Sequence, residues 1–245
     1  MKKHATLFEQ GDHRWTIFYF DDVKGDHLIG TNEYLVQNKG HYLMTDPGGT
    51  ECFPEIIAAV SEVADLSRLD RVFCSHQDPD IFSSVALWLM MKPQLKVYVP
   101  HIWVGFMLHF GGYPDTYIPV SDEGMMIDLG NIQLQALPAH YLHSSGNLHL
   151  FDATAKVLFT GDTGAALTSD PNDFIVRDFD KHIPHMEKFH QRWFGSNEHK
   201  NQWCERVKEL DLNYLCPQHG LVFEGPMVAQ FLDWLYNLRV GIVQY

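Results

Sequence analysis

The sequence predicts a layered α/β fold in one domain, and three observations carry that prediction. Short β-rich runs recur along the chain, helix-patterned segments lie between them, and no Pro-rich linker, charged tract, low-complexity stretch or internal repeat divides them. A chain of 245 residues can bury about three quarters of its unfolded surface, so neither a disulfide nor a metal is needed merely to fold it. With 45% hydrophobic and 20% charged residues, its composition is that of a globular chain, and disordered, collagenous and membrane-spanning classes are excluded.

The β-rich runs are 15–20, 33–37, 41–45, 71–74, 96–99, 132–136, 148–151, 157–160 and 212–215. Between them, 54–69 opens with Pro54 and spaces Ile57, Val60 and Val63 three apart, which is one helical face, with Glu55 favourably placed in the first turn. Residues 186–210 suit a helix interrupted at Gly195-Ser196-Asn197, hence two helices. The stretch 227–240 sets Val228, Phe231, Leu232, Leu235 and Leu238 at the spacing of a docked amphipathic helix.

Lys plus Arg is 18 and Asp plus Glu is 31, a balance of −13. Such a surface repels phosphate backbones, so neither a nucleic acid nor an anionic membrane is an expected partner. The N-terminal residues lack the apolar run of a secretory signal, and the longest apolar run, 85–91, is too short to cross a bilayer. A cytoplasmic setting follows as the expectation, with Cys52, Cys74, Cys204 and Cys216 reduced. None of them forms a CxxC pair, which argues against a Cys-based zinc knuckle. The 15 histidines nearly equal all the Lys and Arg together.

The most informative segment is Cys74-Ser75-His76-Gln77-Asp78-Pro79-Asp80-Ile81, which follows an apolar strand. His76, Asp78 and Asp80 stand two apart, and on extended backbone that spacing turns three side chains to one side. Pro79 supports an extended Asp78. Three more segments deliver a His or Asp just past an apolar run: 137–143 with His140 and His143, 157–162 ending in Gly161-Asp162, and 215–220 with His219-Gly220. Singly, Asp78, Asp80 and Asp162 read more readily as turn formers or helix caps than as ligands. Together, at successive strand exits, they read as a metal site.

That order resembles the metallo-β-lactamase superfamily, whose members carry a His-x-His-x-Asp-His run, then a His, an Asp and a last His. The resemblance covers nearly the whole chain, from the turn Asp46-Pro47-Gly48-Gly49 to His219-Gly220, and implies an αββα sandwich as one domain over 1–245. Asp78 stands where zinc hydrolases have their second His, and Ile81 where they have the last His of the run. A carboxylate at the first of these places is similar to flavodiiron proteins, which use His-x-Glu-x-Asp.

Carried over, the resemblance implies two iron ions, with an oxo or hydroxo bridge between them and zinc as the alternative metal. His76, Asp78 and His143 would hold the first, Asp80 and His219 the second, and Asp162 would join them. His140 is the rival of His143 and is placed behind the ligands. Three carboxylates, −3 against +4 for two divalent ions, leave positive charge for a bound oxygen species, and oxygen ligands beside imidazoles suit iron. Ile81 cannot coordinate, so the second metal keeps an open position; the plainer reading is that Ile81 is core, and both hold if it lines the pocket.

Flavodiiron proteins reduce dioxygen or nitric oxide with electrons from a fused flavodoxin-like domain, for which this chain has no room before Tyr245 and no Gly-rich phosphate loop. The resemblance therefore implies a stand-alone dioxygen-binding di-iron protein, a sensor or carrier in bacterial chemotaxis or redox signalling, read by a signalling partner. The alternatives are an O2 or NO reductase fed by a separate electron donor, and a dizinc hydrolase using a metal-activated water. A non-enzymatic zinc-stabilised protein is a further one. His101, His109, His182, His185, His190 and His199 are expected at the surface or as satisfied core groups. Trp88, Trp103, Trp193, Trp203 and Trp234 are expected as packing, and 103–115 as a loop over the metals.

Overall fold

The computed structural model describes residues 2–20, 29–168 and 170–243. Strands β1 (Lys3–Gln10), β2 (His13–Tyr19), β3 (Glu33–Asn38), β4 (His41–Thr45), β5 (Leu69–Phe73), β6 (Lys96–Pro100) and β7 (Tyr117–Val120) form a seven-stranded sheet in chain order. Strands β8 (Met125–Leu129), β9 (Ile132–Pro138), β10 (Leu148–Asp152), β11 (Val157–Phe159), β12 (Tyr214–Cys216) and β13 (Phe223–Glu224) form a six-stranded sheet, also in chain order. Helices α1 (Phe53–Val63), α2 (Pro79–Phe82), α3 (Val85–Met91) and α4 (Val104–Met107) cover the first sheet, and α5 (Phe179–Trp193), α6 (Asn197–Lys208) and α7 (Pro226–Asn237) cover the second. This is the expected αββα sandwich.

Strand alternation builds its three apolar layers. Along β3, Tyr34 and Val36 enter the layer between the sheets while Leu35 enters the layer under α1 and α3. Along β11, Val157 and Phe159 face the other sheet and Leu158 faces α5 to α7. Both faces of these strands are covered, so they read as continuous apolar runs.

The parallel pairings β4–β5 and β11–β12 place the C-terminal ends of each pair together. Backbone bonds then tie the exits to one another: the Leu148 amide donates to the Ser75 carbonyl at 2.9 Å, and the Gln218 amide to the Gly161 carbonyl at 2.8 Å. Every segment singled out in the sequence thus opens onto one edge of the sandwich.

Several boundaries differ from expectation. The first helix ends at Val63, because Ala64 is extended and Asp65 caps the amide of Ser67 to start a separate short turn. Helix α5 begins at Phe179, capped by the Asp178 carboxylate, and runs through Pro184 to Trp193, well before the expected 186. Asp78 is extended, but Pro79 opens α2, so Asp80 lies in a helical first turn and not on extended backbone. Proline constrains its predecessor to extended backbone, while its own φ suits a first helical position. The same turn rotates Ile81 into the core under α1 and α3, fully buried. It is absent from the cavity lining, so Ile81 is core and not pocket wall, and it contributes no ligand atom to the site. Residues 103–115 do not lie over the site either: Gly111 packs on Ala86 of α3, and none of the segment lines the cavity.

Candidate metal centre

All six predicted residues converge at the sandwich edge. His76 and Asp78 leave β5, Asp80 follows on α2, His143 comes from the β9–β10 loop, Asp162 from the exit of β11 and His219 from that of β12. Asp78, Asp80, His143, Asp162 and His219 line a cavity of about 440 Å3, with His76 buried behind them. Ligand atoms of His76, Asp78, His143 and Asp162 lie within 4.8 Å of one another. Asp162 faces both halves. Its Oδ2 is 3.9 Å from His76 Nε2 and 3.6 Å from His143 Nε2, and its Oδ1 is 3.2 Å from His219 Nε2. Asp78 Oδ2 accepts from His143 Nε2 at 2.9 Å, and Asp80 Oδ2 is 3.4 Å from His219 Nε2.

Backbone features that only special positions allow bring these groups together. A Cβ on Gly161, at φ 50°, would sit 2.7 Å from Ser75 Oγ, so only glycine lets the β11 exit pass close enough to set Asp162 against His76. His143 itself has φ 80°, held there by a tight loop in which the Tyr141 amide donates to the Ser144 carbonyl and Asn147 Nδ2 to the Leu142 carbonyl. A non-glycine residue in that region carries strain of the kind found at functional sites.

The donor set fits a metal pair. His76 Nδ1–H donates to Ser75 Oγ at 2.8 Å, whose hydroxyl donates to Asp46 Oδ2 at 2.6 Å, while the Ser75 amide donates to Asp46 Oδ1 at 2.7 Å. His219 Nδ1–H donates to the Gly30 carbonyl at 2.8 Å. Each arrangement commits Nδ1, so that loss of the second proton frees the Nε2 lone pair toward the cavity, as a ligating imidazole requires. His76 Nε2 and Asp162 Oδ1 are buried without a hydrogen-bond partner among the described residues, a state that costs free energy unless a cation takes those lone pairs. Charge tells the same story. Burial opposes charge on His76 and His219, but the Asp162 carboxylate, with Asp78 or Asp80, pushes each up to about 9. Asp162 and Asp78 are held well below the usual carboxylate range by the histidines, against their burial. Burial raises Asp80 in spite of His219, and pushes Asp46 up to about 7 in spite of His76 and Ser75.

His140 is not behind the ligands; it faces Asp122 at 3.5 Å, which also meets His101 at 3.4 Å. His190 is a satisfied core group, as expected: its Nε2 accepts from the Gly164 amide at 2.9 Å and its Nδ1–H donates to the Met186 carbonyl at 2.7 Å. The role of Asp46 behind His76 was not foreseen, although the turn that contains it was singled out. Trp193 was expected as packing, yet it lines the cavity and meets the His143 ring edge-on at 5.4 Å, while Phe189 stacks on that ring at 5.6 Å.

Comparison with known proteins agrees with this architecture. Residues 29–220 match the ODP family beta lactamase. The structure resembles that of the peroxy diiron species of chemotaxis sensor ODP, with 34% identity and a TM-score of 0.87 over 97% of this chain and 96% of that one. It also resembles the apo state of chemotaxis sensor ODP from T. denticola, with 34% identity and a TM-score of 0.89 over 98% of this chain and 96% of that one. The flavo-diiron protein FprA2 of Clostridium acetobutylicum is 22% identical over 94% of this chain, which spans 59% of that protein's length. With its sequence match over most of its length and its full-length structural likeness, the chain belongs to the ODP family of beta-lactamase-like proteins.

Proposed function

We propose that the protein is a dioxygen-binding di-iron sensor, one domain over 1–245, acting in the cytoplasm on a chemotaxis or redox signalling partner. The observation that carries this reading is Asp162, whose two carboxylate oxygens face different histidine sets, the geometry of a group that joins two metals. His76, Asp78 and His143 would hold the first ion and Asp80 and His219 the second, with Asp162 placed to serve both. Two irons there supply the redox chemistry and the coordination positions that dioxygen needs. The similar structures support iron, one of them being a peroxy diiron species of a chemotaxis sensor.

The chain's own residues orient and enclose. Asp46 and Ser75 set the tautomer of His76, and the Gly30 carbonyl sets that of His219. Pro79, Ala165, Ala166, Leu167, Phe189 and Trp193 give the cavity a largely apolar wall that suits an uncharged diatomic gas.

Elemental analysis after expression with iron and with zinc, together with absorption spectra of the anaerobically reduced protein before and after air, tests the reading. The expected result is two irons per chain and a visible charge-transfer band on exposure. A colourless response from a protein that retains only zinc would overturn it.

A further inference from the structure

Gln77 lies between two proposed ligands, His76 and Asp78, yet does not line the cavity. Its side chain instead joins a chain of hydrogen bonds that leads from Asp78 to the surface. Gln77 Nε2 donates to Asp78 Oδ1 at 2.9 Å, Ser144 Oγ donates to Gln77 Oε1 at 2.7 Å, and Trp103 Nε1 donates to Ser144 Oγ at 3.0 Å. The two ends fix the polarity of every link. An ionised carboxylate only accepts, so Gln77 must turn its NH2 to Asp78 and its oxygen to Ser144. The Ser144 proton is thereby committed, and its oxygen accepts from an indole N–H that can only donate. Bonds aligned in this way strengthen one another.

Three segments distant in sequence meet in this relay. Ser144 follows His143 in the β9–β10 loop, Gln77 precedes Asp78, and Trp103 leads into α4. Gly146 lets the last of these approach, because a Cβ there would lie 2.3 Å from Ile102 Cγ2 and 2.8 Å from Trp103 Nε1. Ser144 is buried and Trp103 half-buried, while Phe106, whose ring meets the indole edge-on at 5.5 Å, is exposed together with Ile102. Asp78 therefore has one oxygen tied to the relay and the other, Oδ2, beside His143 Nε2 at 2.9 Å. A carboxylate divided in this way offers a metal one oxygen rather than two, and any shift of that oxygen pulls on Gln77.

We propose that Gln77, Ser144 and Trp103 are positioning residues that hold Asp78 as a one-oxygen ligand and couple the metal centre to the surface at Trp103. The proposal rests on the reading of Asp78 as a metal ligand. Coupling of this kind is reciprocal: if filling the centre moves the indole, loosening the indole must weaken the centre. A hydrogen bond to the back of a ligand is worth about 10- to 100-fold in metal affinity, and each further link passes on a part of that.

The test uses the full chain with zinc as a diamagnetic probe, followed by chelator competition and by NMR of the tryptophan indole N–H groups. The Trp103 signal is the one missing from Trp103→Phe. In the wild type, zinc shifts that signal. Gln77→Leu, which has neither donor nor acceptor, weakens zinc binding at least about tenfold and leaves the indole signal unmoved by the metal. Ser144→Ala and Trp103→Phe weaken it by smaller factors. An indole that ignores zinc in the wild type, an indole that still responds in Gln77→Leu, or wild-type zinc affinity in Gln77→Leu or Trp103→Phe would each overturn the proposal. Unchanged zinc binding in Asp78→Ala would overturn the ligand reading and this proposal with it. Loss of zinc in Asp78→Ala beside unchanged binding in Gln77→Leu would overturn this proposal alone.

Discussion

His190 is fully buried, and its two ring nitrogens are committed, one accepting from Gly164 and the other donating to Met186. Burial, only partly countered by the Met186 carbonyl, lowers its pKa from 6.5 to about 4. The unfolded chain therefore takes a proton near pH 6.5 that the folded chain refuses until about 4. With more protons on the unfolded state in that window, stability rises with pH: the contribution is complete above 6.5 and is lost as pH falls toward 4. At 1.36 kcal/mol per unit, the shift corresponds to about 3 kcal/mol. His190→Gln keeps a donor and an acceptor but cannot titrate, so it isolates the effect from the other acid-sensitive groups. Urea unfolding of the metal-stripped wild type and variant, at several pH values between 7.5 and 4, should show the wild type losing about 3 kcal/mol more than the variant. Parallel curves would mean that His190 is charged or hydrated in the folded protein, and the account of the Gly164 contact would fall with them.

Three further outcomes follow from the site. Asp162→Ala should lower iron from two per chain to none, and Asp80→Ala to one, read by elemental analysis; equal loss in both would deny Asp162 its place between the ions. Asp46→Ala frees Ser75 and with it the orientation of His76, so metal affinity should drop about 10- to 100-fold by chelator competition without loss of fold, and an unchanged affinity would refute that support. Because neighbouring carboxylates push His76 and His219 up to about 9, metal uptake must displace their protons. Apparent affinity should therefore rise as pH climbs from 6.5 to 9, with proton release measurable by an indicator dye, and a pH-independent affinity would contradict it.

The strands that positioned the site were legible because they are buried on two faces, as β3, β10 and β11 are, and so stand out as apolar runs. Strand β1 escaped notice because it is an outer strand with one buried side chain, Leu7, and β13 because it is two residues long. The six site residues were legible for a different reason. Each follows a strand that ends at the same edge, and chain order is preserved even when local backbone is misjudged. Asp80 makes the point: its extended conformation was wrong, yet its first-turn position on α2 still carries the carboxylate to 3.4 Å from His219. Ile81 shows the limit. One helical step past Asp80 changes a pocket wall into core, and no periodicity in a four-residue helix announces that rotation. The parts that sequence did not yield, Asp46 behind His76 and α5 against His143, are contacts between elements far apart in the chain. Such contacts depend on how the two sheets and their helices are stacked, and side-chain spacing within one segment carries no record of that stacking.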